Sequence, residues 1–151
     1  MSDGHVDIER VIEIAAPPEQ VWAVMSDVAR WPEWTASVTS VERLDRAPLG
    51  VGSRARVRQP RFPVAVWTVS ALDPGRFFEW RSPAPGLLSV AGHRVDDAGD
   101  RASRATLSIT WSGPLAPVVR LLVGSLSRRY VETEAQGLKR RCEAAQVPSP
   151  S

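Results

Sequence analysis

The segment PLAPVVRLLVGSLSRRYVETEAQGLKRRCEAA, residues 114–145, decides the fold because it is the longest helical pattern in the chain. Its two prolines lie near its start, where the helix tolerates them, and Ser112 is a candidate N-cap. Only Gly124 and Gly137 follow as weak helix formers. At the usual helical rise such a segment spans about 48 Å. The sequence therefore predicts one long C-terminal helix on which the rest of the chain is built.

This helix carries two apolar stripes that lie on different sides. The first stripe consists of Leu115, Val119, Leu122, Leu126 and Tyr130. The second, displaced by roughly 150° around the axis, consists of Val131, Ala135, Leu138, Cys142 and Ala145. A straight helix cannot bury both stripes against one surface, so we predict a bend or local unwinding at residues 124–127. Because residues 115–123 are apolar nearly all round, they are either deeply covered or form an exposed apolar gate.

The preceding sequence alternates between apolar and polar residues with the period of a β-strand. It predicts a strand at residues 6–14, a helix opened by Pro17 or Pro18, and a second short helix near residues 31–34. Further strands are predicted at residues 38–44, 53–59, 64–72, 77–82, 87–95 and 102–111. This order indicates an α+β domain in which a curved antiparallel sheet folds around the last helix.

The length and composition indicate a single domain, residues 1–146, followed by a disordered tail at 147–151. One cysteine excludes an internal disulfide, and neither a membrane-length apolar run nor a signal peptide is recognisable. We therefore expect a cytoplasmic protein without an integral membrane segment. The net charge is only +2, and the alternating arginines at 54, 56 and 58 lack interleaved aromatic residues. Nucleic-acid binding is not expected.

Six tryptophans are the most informative excess in the composition. Trp22 and Trp31 fit packing roles around the first helices. The other four fall on strands or at the second short helix and can face a cavity. Together they favour a flat, apolar ligand, although each ring could instead fill the core. The candidate ligand-binding residues are Trp34, Trp67, Phe78, Trp80, His93, Ile109, Trp111, Leu122, Leu126 and Tyr130.

His93 is the candidate for acid–base chemistry, because the ordinary pKa of histidine suits neutral pH and its strand position allows it to face inward. Tyr130 could act with it as a hydrogen-bond donor. A structural or ligand-orienting histidine is the alternative. Clustered metal ligands, a nucleophile elbow and a glycine-rich phosphate loop are all missing from the sequence, so no metal and no cofactor are expected.

Several segments closely resemble the START/Bet v 1-like superfamily, and the nearest branch is the polyketide cyclase/dehydrase group. The resemblance begins with AAPPEQVW at residues 15–22 and continues with Asp27 and WPEW at 31–34. It extends through VGS at 51–53, LDPGR at 72–76 with Phe78 and Trp80, and LK at 138–139 with Glu143. This resemblance implies a helix-grip fold with a cavity between sheet and C-terminal helix. It also implies apolar ligands such as lipids, sterols or polyketides, and it transfers no catalytic residues.

Three functions follow as hypotheses. The first is non-catalytic binding of a hydrophobic, lipid- or polyketide-like small molecule in that cavity. The second is a cyclase or dehydratase that uses the same cavity, with His93 and Tyr130 in acid–base roles. The third is a protein- or membrane-interaction module that docks through residues 115–123. The sequence does not determine the oligomeric state.

Overall fold

The computed structural model describes residues 5–145, so the tail expected at 147–151 lies outside the described residues. Seven strands form in chain order: β1 (Ile8–Ile14), β2 (Ser40–Arg43), β3 (Arg54–Arg58), β4 (Ala65–Asp73), β5 (Phe77–Ala84), β6 (Leu87–Asp97) and β7 (Ser103–Ser112). Helix α1 (Pro18–Ser26) and a 3-10 helix (Val28–Glu33) follow β1, and α2 (Ala116–Ala144) ends the described chain.

All seven strands belong to one antiparallel sheet with the order β1-β7-β6-β5-β4-β3-β2. The first strand lies beside the last one, pairing Ile8 with Ile109 and Ile14 with Ser103. A register shift between Val69 and Ala71 interrupts the pairing of β4 with β5, as bulges do where a sheet bends. The curved sheet and the long C-terminal helix confirm the predicted α+β helix-grip fold.

The short segment between α1 and β2 closes one end of the sheet. Pro32 lies inside it and lacks a backbone donor, which suits a 3-10 helix of six residues rather than a longer α-helix. Trp31 is buried in this helix and donates its indole N–H to the carbonyl oxygen of Met25 at 3.0 Å. The predicted short second helix is therefore present, and it holds an indole ring beneath the sheet.

Helix α2 is continuous from Ala116 to Ala144, so the predicted local unwinding at residues 124–127 is wrong. Leu115, not Ser112, occupies the N-cap position, and no side chain caps the helix. The second stripe is confirmed for Val131, Ala135, Leu138 and Cys142, which are buried, whereas Ala145 is exposed.

Within the first predicted stripe, only Val119 lines the interior space, and the other four positions are wrong. The positions of this half that border the interior are Val119, Val123 and Ser127, which continue the line of Val131 along one face. Leu121 and Leu122 are 83% and 74% exposed. The helix therefore does not have to bury two stripes on different sides. Leu121 and Leu122 lie in solvent, and no bend is needed to bury them.

Candidate functional site

The interior space between the sheet and α2 holds two adjoining compartments. The deeper compartment has a volume of about 70 Å³ and lies against Trp31, Trp80, His93 and Glu134. The outer compartment has a volume of about 300 Å³ and opens between the first half of α2, the β3–β4 loop and the β5–β6 hairpin. Both compartments share the lining residues Val57, Gln59, Trp67 and Ile109. The two compartments therefore adjoin at these four side chains.

Strand alternation brings the aromatic rings to this cavity. Trp80 on β5 lies opposite Val69 on β4 and Ala91 on β6, and its ring centroid is 5.8 Å from that of Trp67. Trp31 reaches the same cluster from the 3-10 helix, with its centroid 5.3 Å from that of Trp80. Such tilted and edge-to-face arrangements are the ones that aromatic pairs prefer. They give the deep compartment a wall of indole rings.

His93 lies at the base of the deep compartment and is 3% exposed. Its ring stacks on Phe78 with a centroid separation of 4.3 Å. Burial lowers its pKa to about 3, and a hydrogen bond with the Phe78 backbone opposes this shift only in part. Atom Nδ1 has no hydrogen-bond partner within the described chain. His93 is therefore neutral at neutral pH, and its Nδ1 atom is enclosed by the protein.

Glu134 is the functional group that sequence reasoning missed. It lies on α2, three residues after Val131 and four before Leu138, and borders the deep compartment together with His93. Glu134 is half-buried and borders this interior compartment, and the partial removal of its carboxyl group from water raises the pKa of the carboxyl to about 8. Within residues 5–145 this carboxyl has neither a hydrogen bond nor an ion pair. The signal was present in the sequence, because the spacing places an acidic residue on the buried face of the helix.

The structure brings together only part of the predicted ligand-binding set. Trp67, Trp80, His93 and Ile109 line the deep compartment, and Trp111 lines the outer one. Phe78 is fully buried behind His93 and borders neither compartment. The residues that line the cavity and were not expected there include Trp31, Val57, Gln59, Val119, Val123, Ser127, Val131 and Glu134.

Four other predicted positions lie elsewhere and are corrected. Leu122 is exposed and Leu126 is half-buried, and neither borders the cavity, because the first half of α2 turns a different face inward. Tyr130 donates its hydroxyl to the carbonyl of Pro60 and packs edge-on against Phe62. Trp34 borders an outer groove beside Gly137. Tyr130 therefore does not act on a group bound at His93.

The rest of the molecule adds no ionic chemistry to this site. Among the described residues, no three His, Cys, Asp or Glu side chains come together as a metal centre requires. Within the same part of the chain, no helix has both the length and the apolar character needed to cross a membrane. Burial raises the pKa of the Cys142 thiol to about 12, so it stays protonated and packs as a small apolar group.

Comparison with known proteins assigns the family. The family described as "Polyketide cyclase / dehydrase and lipid transport" matches residues 5–143. The chain belongs to this family. A protein of Streptomyces halstedii named "Putative polyketide cyclase" is 34% identical over 96 residues, which are 62% of this chain and 75% of that protein.

Solved structures of this family's fold superpose over nearly the whole chain. The Zhui aromatase/cyclase from Streptomyces sp. R1128 gives a TM-score of 0.77 at 19% identity, covering 93% of this chain and 94% of its own. The protein TTHA0849 from Thermus thermophilus gives 0.73 at 22% identity, covering 93% and 99%. At these identities the likeness establishes the fold alone. It confirms the predicted helix-grip architecture, and the family match over residues 5–143 confirms the recognised superfamily.

Proposed function

We propose that this protein binds a small, largely apolar molecule with a flat aromatic part in the cavity between the sheet and α2. The observation that carries this proposal is the outer compartment, which shares four lining residues with the compartment at the indole wall around His93. The outer volume of about 300 Å³ lies at the lower end of the range for small-molecule sites. Apolar side chains with a few inward polar groups are the usual lining of such sites.

The polar groups of the deep compartment favour a ligand with a polar end. His93 and Glu134 both border this compartment, and the carboxyl group of Glu134 is unpaired within the described residues. Unpaired polar groups in an apolar cavity are costly, and a ligand that supplies their partners recovers that cost. The ligand therefore enters with its polar end first and leaves its apolar part against Trp67 and Ile109.

The test uses two neighbouring residues of α2 that differ in which way they face. Val123 lines the outer compartment, whereas Leu122 is 74% exposed on the other side. Val123→Trp should narrow the opening and weaken binding of naphthol at least tenfold, and Leu122→Trp should leave it unchanged. Native mass spectrometry of protein from its own host should show a retained small molecule in the wild type and less of it in Val123→Trp. Equal naphthol affinity in the two variants would place binding outside the cavity.

A second candidate function, a cyclase or dehydratase type of reaction, is favoured by Glu134 and not by the pair predicted from sequence. A general acid works best when its pKa lies near the working pH, which fits Glu134 at about 8 and not His93 at about 3. In a dehydration, the neutral Glu134 would give its proton to the departing hydroxyl as the C–O bond breaks. The resulting carboxylate would take the proton from the neighbouring carbon, whose C–H electrons form the double bond. Water leaves, and Glu134 ends as it began.

The two functions differ in what Glu134→Gln does. With a β-hydroxy ketone that bears a phenyl ring, a dehydratase forms a conjugated enone that can be followed by absorbance. Glu134→Gln should abolish this turnover while naphthol still binds, and Tyr130→Phe should leave turnover intact, since Tyr130 bonds to Pro60. The wild-type rate should fall above a pH of about 8 as Glu134 loses its proton. Binding without turnover in the wild type would leave the binding function alone.

A further inference from the structure

The carboxyl group of Glu134 has no positive partner within residues 5–145. No lysine or arginine lines either compartment of the cavity among the described residues. Two other carboxylates of the same helix do have a positively charged partner. Glu132 pairs with Arg10 at 2.5 Å, and Glu143 pairs with Lys139 at 2.6 Å. Because a charge removed from water is costly unless it is paired, the cavity offers a place for one positive group that the protein itself does not supply.

The walls around Glu134 suit an organic cation. Trp31, Trp67 and Trp80 border the same compartment, and aromatic rings attract ammonium groups through the negative charge of their faces. His93 borders the same compartment and is neutral at neutral pH, so it adds no positive charge that would repel a cation.

We propose that the ligand is an organic ammonium ion, an amine or quaternary ammonium group joined to an aromatic part, with its positive group held between Glu134 and the indole rings. This inference rests on the proposed binding function and names the chemical class of the ligand. The carboxylate neutralises the cation, the indoles replace its hydration shell, and the aromatic part extends toward Trp67 and Ile109. Neutral and anionic ligands gain no ionic attraction from this arrangement.

Binding of such a cation is linked to pH through Glu134. The groups that face Glu134 across the compartment are His93 on β6, Gln59 after β3, Ser108 on β7 and Trp31 of the 3-10 helix. Only His93 among them titrates below pH 8, and its pKa of about 3 keeps it neutral above pH 6. With a pKa of about 8 for Glu134, its ionised fraction rises from pH 6.5 to pH 9 by a factor of about 30. The affinity for a permanent cation should rise by about the same factor.

The experiment compares benzyltrimethylammonium with its uncharged carbon isostere, neopentylbenzene, on the full chain. Tryptophan fluorescence measures affinity between pH 6.5 and 9, and calorimetry in buffers of different ionisation enthalpy counts protons. The cation should bind about thirtyfold tighter at pH 9 than at pH 6.5 and release close to one proton at pH 7, while the isostere shows neither effect. Glu134→Gln should remove both effects, and the matched change Glu132→Gln on the exposed side should keep them.

The proton count on the wild type does not depend on any variant folding. Cation affinity that is independent of pH, no proton release, or identical behaviour of Glu134→Gln would overturn the inference. If the isostere binds and the cation does not, the inference fails while the proposed binding function stands. If neither binds and naphthol does not either, the binding function fails with it.

Discussion

A very close approach between α2 and the rest of the molecule occurs at Gly137. A Cβ atom at this position would overlap the carbonyl oxygen of Trp34 and would lie 3.1 Å from its carbonyl carbon. Real Cβ atoms do not come within 3.0 Å of a neighbour. Because the obstructing atoms belong to the backbone, Gly137→Ala can be accommodated only if the segment after the 3-10 helix moves away from α2. That segment follows Trp31, which lines the deep compartment.

The magnitude follows from two opposing effects. Replacing glycine by alanine inside a helix normally stabilises it by about 1 kcal/mol. Overpacking a well-filled contact typically costs about 1–3 kcal/mol. Because the obstructing atoms at Gly137 are backbone atoms, the overpacking cost should lie toward the upper end of this range. After subtraction of the helix gain, Gly137→Ala should lower the free energy of unfolding by about 1–2 kcal/mol. For a chain of this length, the melting temperature should fall by roughly 2–8 °C.

Gly124 supplies a matched control in the same helix. A Cβ atom there would meet only the Arg128 guanidinium, at 3.9 Å, which is ordinary contact. Gly124→Ala should therefore raise the free energy of unfolding by about 0.5–1 kcal/mol. Urea unfolding followed by circular dichroism measures both changes. The reasoning is refuted if Gly137→Ala is as stable as the wild type, or if the two substitutions shift stability in the same direction.

Three further predictions concern Glu134, Cys142 and the pair Leu121 and Leu122. The pKa of Glu134 rises from 4.5 in the unfolded chain to about 8 in the folded protein, so its contribution to stability is complete below pH 4.5 and is lost as the pH rises to 8. In urea titrations, the stability of Glu134→Gln relative to the wild type should therefore be greater at pH 8.5 than at pH 4.5, and a difference that does not change with pH would contradict the pKa shift. Cys142, buried and with a pKa of about 12, should resist iodoacetamide at pH 8 in the folded protein and react in urea, whereas rapid native labelling would show an accessible thiol. The exposed Leu121 and Leu122 should tolerate joint replacement by serine within about 0.5 kcal/mol. If residues 115–123 dock on a membrane, as the third hypothesis holds, the same replacement should abolish sedimentation with phospholipid vesicles, and binding that survives it would exclude this face.

The strands were predictable because one face of each is buried and the other is not. Alternation in β1 and β3 reports directly which residues point inward, and the burial of Ile12 and Val57 follows it. The same alternation placed Trp67 and Trp80 on the cavity side. What alternation could not decide was whether a ring borders open space or other side chains. Phe78 follows the pattern as well as Trp80 does, yet its ring is covered by His93.

The acid–base expectation failed for a different reason. It started from the ordinary pKa of histidine, and the sequence does not show how completely a side chain is buried. Burial moves the pKa of His93 away from neutral pH and moves the pKa of Glu134 toward it. The same physical effect therefore makes His93 unsuited to acid–base chemistry at neutral pH and makes Glu134 suited to it. Tyr130 was placed beside them by a stripe that the helix does not bury. Which side chains of α2 face His93 depends on the rotation of the helix about its axis. The local sequence does not determine this rotation when a segment is apolar on nearly all sides.

The rotation of α2 is determined by its second half, and this explains why the cavity stays open. Leu138 and Cys142 are fully buried, and Gly137 touches the Trp34 backbone, so a turn of the helix about its axis would break these contacts. A continuous helix transmits that rotation to the first half, where it directs Val123 inward and the larger Leu121 and Leu122 outward. Burying a leucine would stabilise the fold by about 1.5–3 kcal/mol. The fold gives up that gain for both leucines, and the smaller Val119, Val123 and Ser127 instead face the outer compartment, which stays open.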